Sequence, residues 1–95
     1  MRILALEREV PGTEDSDYGP HLKAEARRVW DLVQEDNIRE VYFRQDRSEA
    51  VLMLECHNIR EADEILGTLP LVQAGLIVFE LIPLKPYPGF ERLFR

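Results

Sequence analysis

Ninety-five residues suffice for one domain and no more, since domains cluster at roughly 100–150 residues. Eighteen acidic against twelve basic residues leave a net charge of −6, which argues against phosphate-rich partners such as nucleic acid and anionic membrane surfaces. With 45% hydrophobic and 32% charged residues, the chain reads as a folded globular protein rather than a disordered one.

In chain order, Met1–Arg8 reads as a short strand stopped by Pro11-Gly12. Its apolar stretch is too short for a signal peptide, and no later run approaches membrane-spanning length, so the cytoplasm is the expected compartment. After the acidic loop Glu14–Asp17, Gly19 and Pro20 signal a helix start. Leu22, Ala26, Val29, Trp30 and Val33 then recur at helical spacing through Asp36. Lys23, Arg27, Arg28, Asp31 and Gln34 cover the opposite face.

Ile38–Arg44 and Glu49–His57 form a predicted hairpin across Gln45–Ser48, rich in β-branched and aromatic residues. A turn centred on Asp46-Arg47 sets Tyr42 opposite Val51 and Arg44 opposite Glu49. Cys56, the single cysteine, closes the second of these strands as a small core residue and rules out an internal disulfide. Asn58 and Glu61 have capping-box spacing ahead of a second helix, whose stripe is Ile59, Ala62, Ile65, Leu66 and Leu69. Leu76–Leu84 is the fourth strand. The remainder, with Tyr87, Phe90, Leu93 and Phe94, is an apolar tail over 85–95, expected to pack on a partner subunit.

The order strand, helix, strand, strand, helix, strand predicts one α+β domain over 1–95. Its type is ferredoxin-like βαββαβ, with a four-stranded antiparallel sheet, both helices on one face, and the first and third strands central. Alternation assigns Leu4, Leu6, Val41, Phe43, Leu52, Leu54, Cys56, Ile77, Phe79 and Leu81 to the helix side. The other side receives Ile3, Ala5, Val51, Met53, Val78 and Ile82 beside Glu7, Glu40, Tyr42, Glu55 and Glu80. So many apolar groups on a helix-free face predict a covering partner, and a second copy of the chain is the commonest kind.

Candidate chemistry is sparse. Glu7 and Glu55, taken to lie near the same end of the two central strands, are candidate catalytic carboxyls, because crowded carboxylates repel and raise each other's pKa. His21, in the first helical turn, is a candidate base or electrophile, since the helix dipole disfavours imidazolium. Trp30, Tyr42 and Met53 are candidate ligand contacts. Two histidines and a cysteine without close spacing make no metal pattern, and no glycine-rich phosphate loop occurs, so neither metal nor cofactor is expected.

The segment Leu66-Gly67-Thr68-Leu69-Pro70-Leu71 followed by the strand Leu76–Leu84 resembles the C-terminal half of the muconolactone isomerase family. The helix from His21 and the strand Asn37–Arg44 fall where that family has them. The resemblance implies a dimeric α+β barrel, higher assembly in some members, and a cofactor-free isomerase that shifts a double bond by proton transfer. It carries over the fold and no catalytic residue, because Asp36-Asn37 replaces the family's Gly-Lys and Lys85–Gly89 replaces its His-Pro close. The expectation is thus a homodimeric small-molecule protein using acid/base chemistry. The alternatives are a non-catalytic ligand-binding or assembly module of the same fold and a cofactor-free monooxygenase of the antibiotic-biosynthesis type.

Overall fold

A computed structural model describes all of residues 1–95. Strands β1 (Arg2–Glu9), β2 (Ile38–Phe43), β3 (Ala50–Glu55) and β4 (Ile77–Pro83) form one sheet in the order β2-β3-β1-β4. Every neighbouring pair is antiparallel. The helices are α1 (Asp15–Tyr18), α2 (Leu22–Gln34), α3 (Ile59–Leu66) and α4 (Pro70–Gln73). This is the expected α+β ferredoxin-like arrangement with β1 and β3 central. No helix is long and apolar enough to cross a membrane.

Local chemistry explains the boundaries. α2 is entered through a 3-10 turn, Gly19–His21, with proline in its first turn. It ends at Asp36, whose left-handed φ of 66° suits a short polar side chain and lets the Asn37 amide donate to the Leu32 carbonyl. At α3, Asn58 accepts the Glu61 amide at 2.8 Å. The Glu61 carboxylate does not complete the reciprocal box; it takes His57 Nδ1 at 2.8 Å instead. α4 is a separate turn that Pro70 opens, where the sequence predicts only the end of the second helix.

The hairpin pairs Tyr42 with Val51, and the Arg44 amide donates to the Glu49 carbonyl, as its turn chemistry requires. A bulge between Ile38 and Glu40 breaks the alternation of β2, so both Ile38 and Val41 face the helices. The core joins Ile3 and Ala5 of β1, Leu52 and Leu54 of β3, Leu32 of α2, and Ala62 and Leu66 of α3. Cys56 lies in the same cluster, 4% exposed, and its amide donates to the Met1 carbonyl.

Two expectations change. The side-chain sorting holds for β2, β3 and β4, but β1 is inverted. Ala5 sits between Leu52 and Leu81, and Glu7 opposite Phe79, so Ile3, Ala5 and Glu7 point toward the helices. Leu4 and Leu6 join Val51, Met53, Val78 and Ile82 on the open face. Ile3-Leu4-Ala5-Leu6 is apolar in both parities and offers no alternation to read, so only Glu7 could orient it, and that acid is buried. Secondly, only Leu32 of α2 is fully buried; Val29 and Val33 pack half-buried against the core, and the stripe from Leu22 to Val33 also walls a cavity.

Beyond β4 the chain leaves the domain. Tyr87 and Phe90 meet edge to face at 5.0 Å, and a 3-10 helix spans Gly89–Phe94. Leu93 and Phe94 are 75% and 86% exposed. The radius of gyration is 15.4 Å, against about 12 Å for a globule of this length.

Candidate functional site

Between α2 and the sheet lies a cavity of about 470 Å³, within the range of small-molecule sites. Leu22, Ala26, Val29, Trp30 and Val33 form its α2 wall, and Val41, Phe43, Ala50, Leu52 and Phe79 its sheet floor. Leu69 and Leu71 close the side nearest α4. Of fourteen lining residues twelve are hydrophobic; the exceptions are Glu7 in the floor and Glu25 in the helical wall. Two carboxyls therefore look into one apolar space.

Glu7 is 7% exposed and makes no side-chain hydrogen bond or ion pair with another side chain. Burial pushes its carboxyl from 4.5 up to about 7, against a favourable contact with the Ala50 backbone and with help from the negative charges of Glu49, Glu25 and Glu9. Glu25 is half-buried, and its Oε1 accepts the Leu71 amide at 2.9 Å, tying α2 to the start of α4. Burial raises its pKa, while that hydrogen bond and the charge of His21 hold it down. A second cavity of about 330 Å³ adjoins the first, sharing Glu7, Leu22, Phe43 and Leu71 and adding Glu9, Asp15, Tyr18 and Ser48. Glu7 thus stands where an apolar chamber meets an acid-lined one.

Glu49 buttresses this corner. It is 5% exposed, accepts the Glu9 amide at 3.2 Å, and faces Arg47 Nε at 3.1 Å. Arg44 lies 3.9 Å from it, itself engaged by Asp46. The hairpin turn thereby keeps a charge-paired carboxylate beside the unpaired one of Glu7.

The structure separates the residues singled out from sequence. Glu7 and Trp30 line the cavity. His21 lies at the start of α2 and outside the lining, reaching the site only through its charge on Glu25. Glu55 is not near Glu7: the central strands are antiparallel, so it lies opposite Arg2 at the far end of the sheet. There the N-terminal ammonium, at 2.7 Å, and Arg2 hold its pKa down, opposite to what a general acid needs. Tyr42 and Met53 occupy the open face, away from the cavity, where Tyr42 donates to Glu40 at 2.9 Å. Glu40 and Glu80 are also on that face, Glu80 paired with Arg8 at 3.0 Å. No group of three or more His, Cys, Asp or Glu side chains gathers as a metal site would.

Glu25, Phe43 and Phe79 were not singled out from the sequence as site residues. Glu25 had a readable signal, being the one charged member of the helical series Leu22, Glu25, Ala26, Val29, Trp30 and Val33.

No protein-family model and no curated protein matches the chain. Among solved structures, its fold is similar to that of 5-chloro-2-hydroxyhydroquinone dehydrochlorinase (TftG) from Burkholderia phenoliruptrix AC1100, in complex with 2,5-dihydroxybenzoquinone. The TM-score is 0.73 over 94% of this chain and 98% of that one, at 16% identity. The likeness shows the fold, α+β and ferredoxin-like.

Proposed function

We propose that the chain binds a small, mostly apolar ring compound in the cavity beneath α2 and transfers a proton on it through Glu7, as a cofactor-free isomerase-type enzyme. The observation that carries this reading is a nine-tenths buried carboxyl, unpaired with any other side chain, in the floor of an otherwise apolar chamber. With its pKa near 7, Glu7 is part protonated and part ionised at neutral pH, so it can both take and return a proton. The carboxylate would remove a proton from a carbon beside a carbonyl, the electron pair passing into an enolate. The carboxyl, its proton exchanging with solvent while the enolate persists, would then protonate a different carbon, and the double bond would have moved. Glu25, tied to Leu71, is the second carboxyl that can meet a polar edge of the ring. The small quinone held by the similar dehydrochlorinase supports a ligand of this size.

We further propose that the chain works as a homodimer paired through its helix-free sheet face. Leu4 and Leu6 there make that face more apolar than the sequence alone implies.

The test uses 2,5-dihydroxybenzoquinone as first probe, followed by small unsaturated lactones. Binding is read from the emission of Trp30, the single tryptophan, and proton transfer from deuterium uptake by the bound lactone in D2O. Glu7→Gln is expected to retain binding and to lose exchange by about 10²–10⁴-fold, the usual worth of a positioned acid/base. Exchange that persists in Glu7→Gln removes Glu7 from the chemistry. Binding without exchange in the unaltered protein favours the ligand-binding module instead.

A further inference from the structure

The cavity is open, and its rim is unusually greasy for a surface: Leu22, Trp30, Val41 and Phe43 are 53%, 59%, 43% and 68% exposed. The segment 84–95 has the converse problem. Tyr87, Phe90, Leu93 and Phe94 are 65–86% exposed and stand off the domain, giving a molecule 57 Å long and only 28 by 21 Å across. Apolar surface of this extent calls for cover.

Charge points the same way. Lys85, Arg92 and Arg95 against Glu91 make the segment basic, leaving nine basic and seventeen acidic residues elsewhere. Lys85 and Arg92 have no ion-pair partner within the chain, and neither have Glu9 and Asp15 in the acid-lined cavity adjoining the rim. Unmatched cations on the tail are thus complementary in charge to unmatched anions at the site.

The tail cannot easily serve its own cavity. Pro83 pairs with Ile3 whereas Phe79 pairs with Glu7, so the chain leaves the sheet roughly 13 Å beyond the level of Glu7 and heads away from it. Pro83, Pro86 and Pro88 stiffen the exit.

We propose that residues 84–95 of a second copy close the mouth of the cavity, their aromatic side chains on the Trp30–Phe43 rim and their cations toward Glu9 and Asp15, so that each site is completed in trans. The inference rests on the self-association proposed above; it makes the partner a contributor to the site rather than only a cover for the sheet.

Trp30 reports it without ligand. In the full chain at micromolar concentration, its emission is expected to be blue-shifted and several-fold less quenchable by acrylamide than in the Phe90→Ser/Phe94→Ser chain. The Arg92→Glu/Arg95→Glu chain should also lose shielding, and more so at low salt. Co-refolding the Phe90→Ser/Phe94→Ser chain with a Trp30→Phe chain bearing an intact tail should restore it. Equal quenching in full and tail-altered chains overturns the proposal, as does failure of rescue by co-refolding. Shielding that survives dilution to a monomer also overturns it, because the tail then folds back on its own domain. The same shielding is expected in Glu7→Gln, so loss of catalysis and loss of tail docking are read separately.

Discussion

At Glu7 the sign of the pH dependence follows from the direction of the shift. A carboxyl raised from 4.5 to about 7 holds its proton more tightly in the folded chain. Its stabilising contribution is complete below about pH 4.5 and drains as the pH rises through 7. The loss is on the order of 2 kcal/mol, reduced from the full shift because the cavity admits water. Glu7→Gln should therefore match the unaltered chain near pH 4.5 and exceed its stability at pH 8 by roughly 1–2 kcal/mol. Urea unfolding at the two pH values checks this; a gap that narrows as pH rises contradicts the buried-acid reading. Such an acid, kept at a cost to stability, belongs to function more readily than to folding.

Among the elements, α2 and α3 divide the labour between site and core. Leu32 is the only buried residue of α2, at 1% exposed. Leu32→Ala should cost about 2–5 kcal/mol in denaturant melts. The larger Trp30 should cost far less when replaced by alanine, because it borders open space. For α3, Asn58→Ala removes the acceptor for the Glu61 amide and should cost about 1 kcal/mol, with Asn58→Asp restoring most of it. Much of this organisation was legible in the sequence: the periodicity of both helices, the Asn58 cap and the Asp46-Arg47 turn each have one physical reading. What escaped had two. The strand Ile3–Leu6 satisfies either face, and a helical stripe looks the same whether it abuts a core or a void. The bulge before Glu40 carries no glycine to announce it. Glu25 could have been found, since a lone acid inside an apolar stripe needs either an amide or a ligand to face.

At the scale of the whole molecule, the proposed pairing through the open sheet face is the reading on which completion of the site in trans depends. Leu6→Lys places a cation on the open face opposite Val51 while leaving the core untouched. It is expected to yield a folded monomer, seen as a halved mass in sedimentation with unchanged far-UV circular dichroism. A Leu6→Lys chain that keeps the mass of the parent would show that this face is not the contact. The antiparallel register also explains why Glu55 and Glu7 are not one constellation: the strand ends carrying them are related by the length of the sheet, not by adjacency.

Cys56 is buried at the point where β3 meets the beginning of the chain, its pKa raised chiefly by burial, and it is the only thiol. A maleimide or disulfide reagent can reach that sulfur only when this corner separates. Its labelling rate in native buffer is then a stopwatch for fraying of the central strand pair, readable without any added dye or isotope.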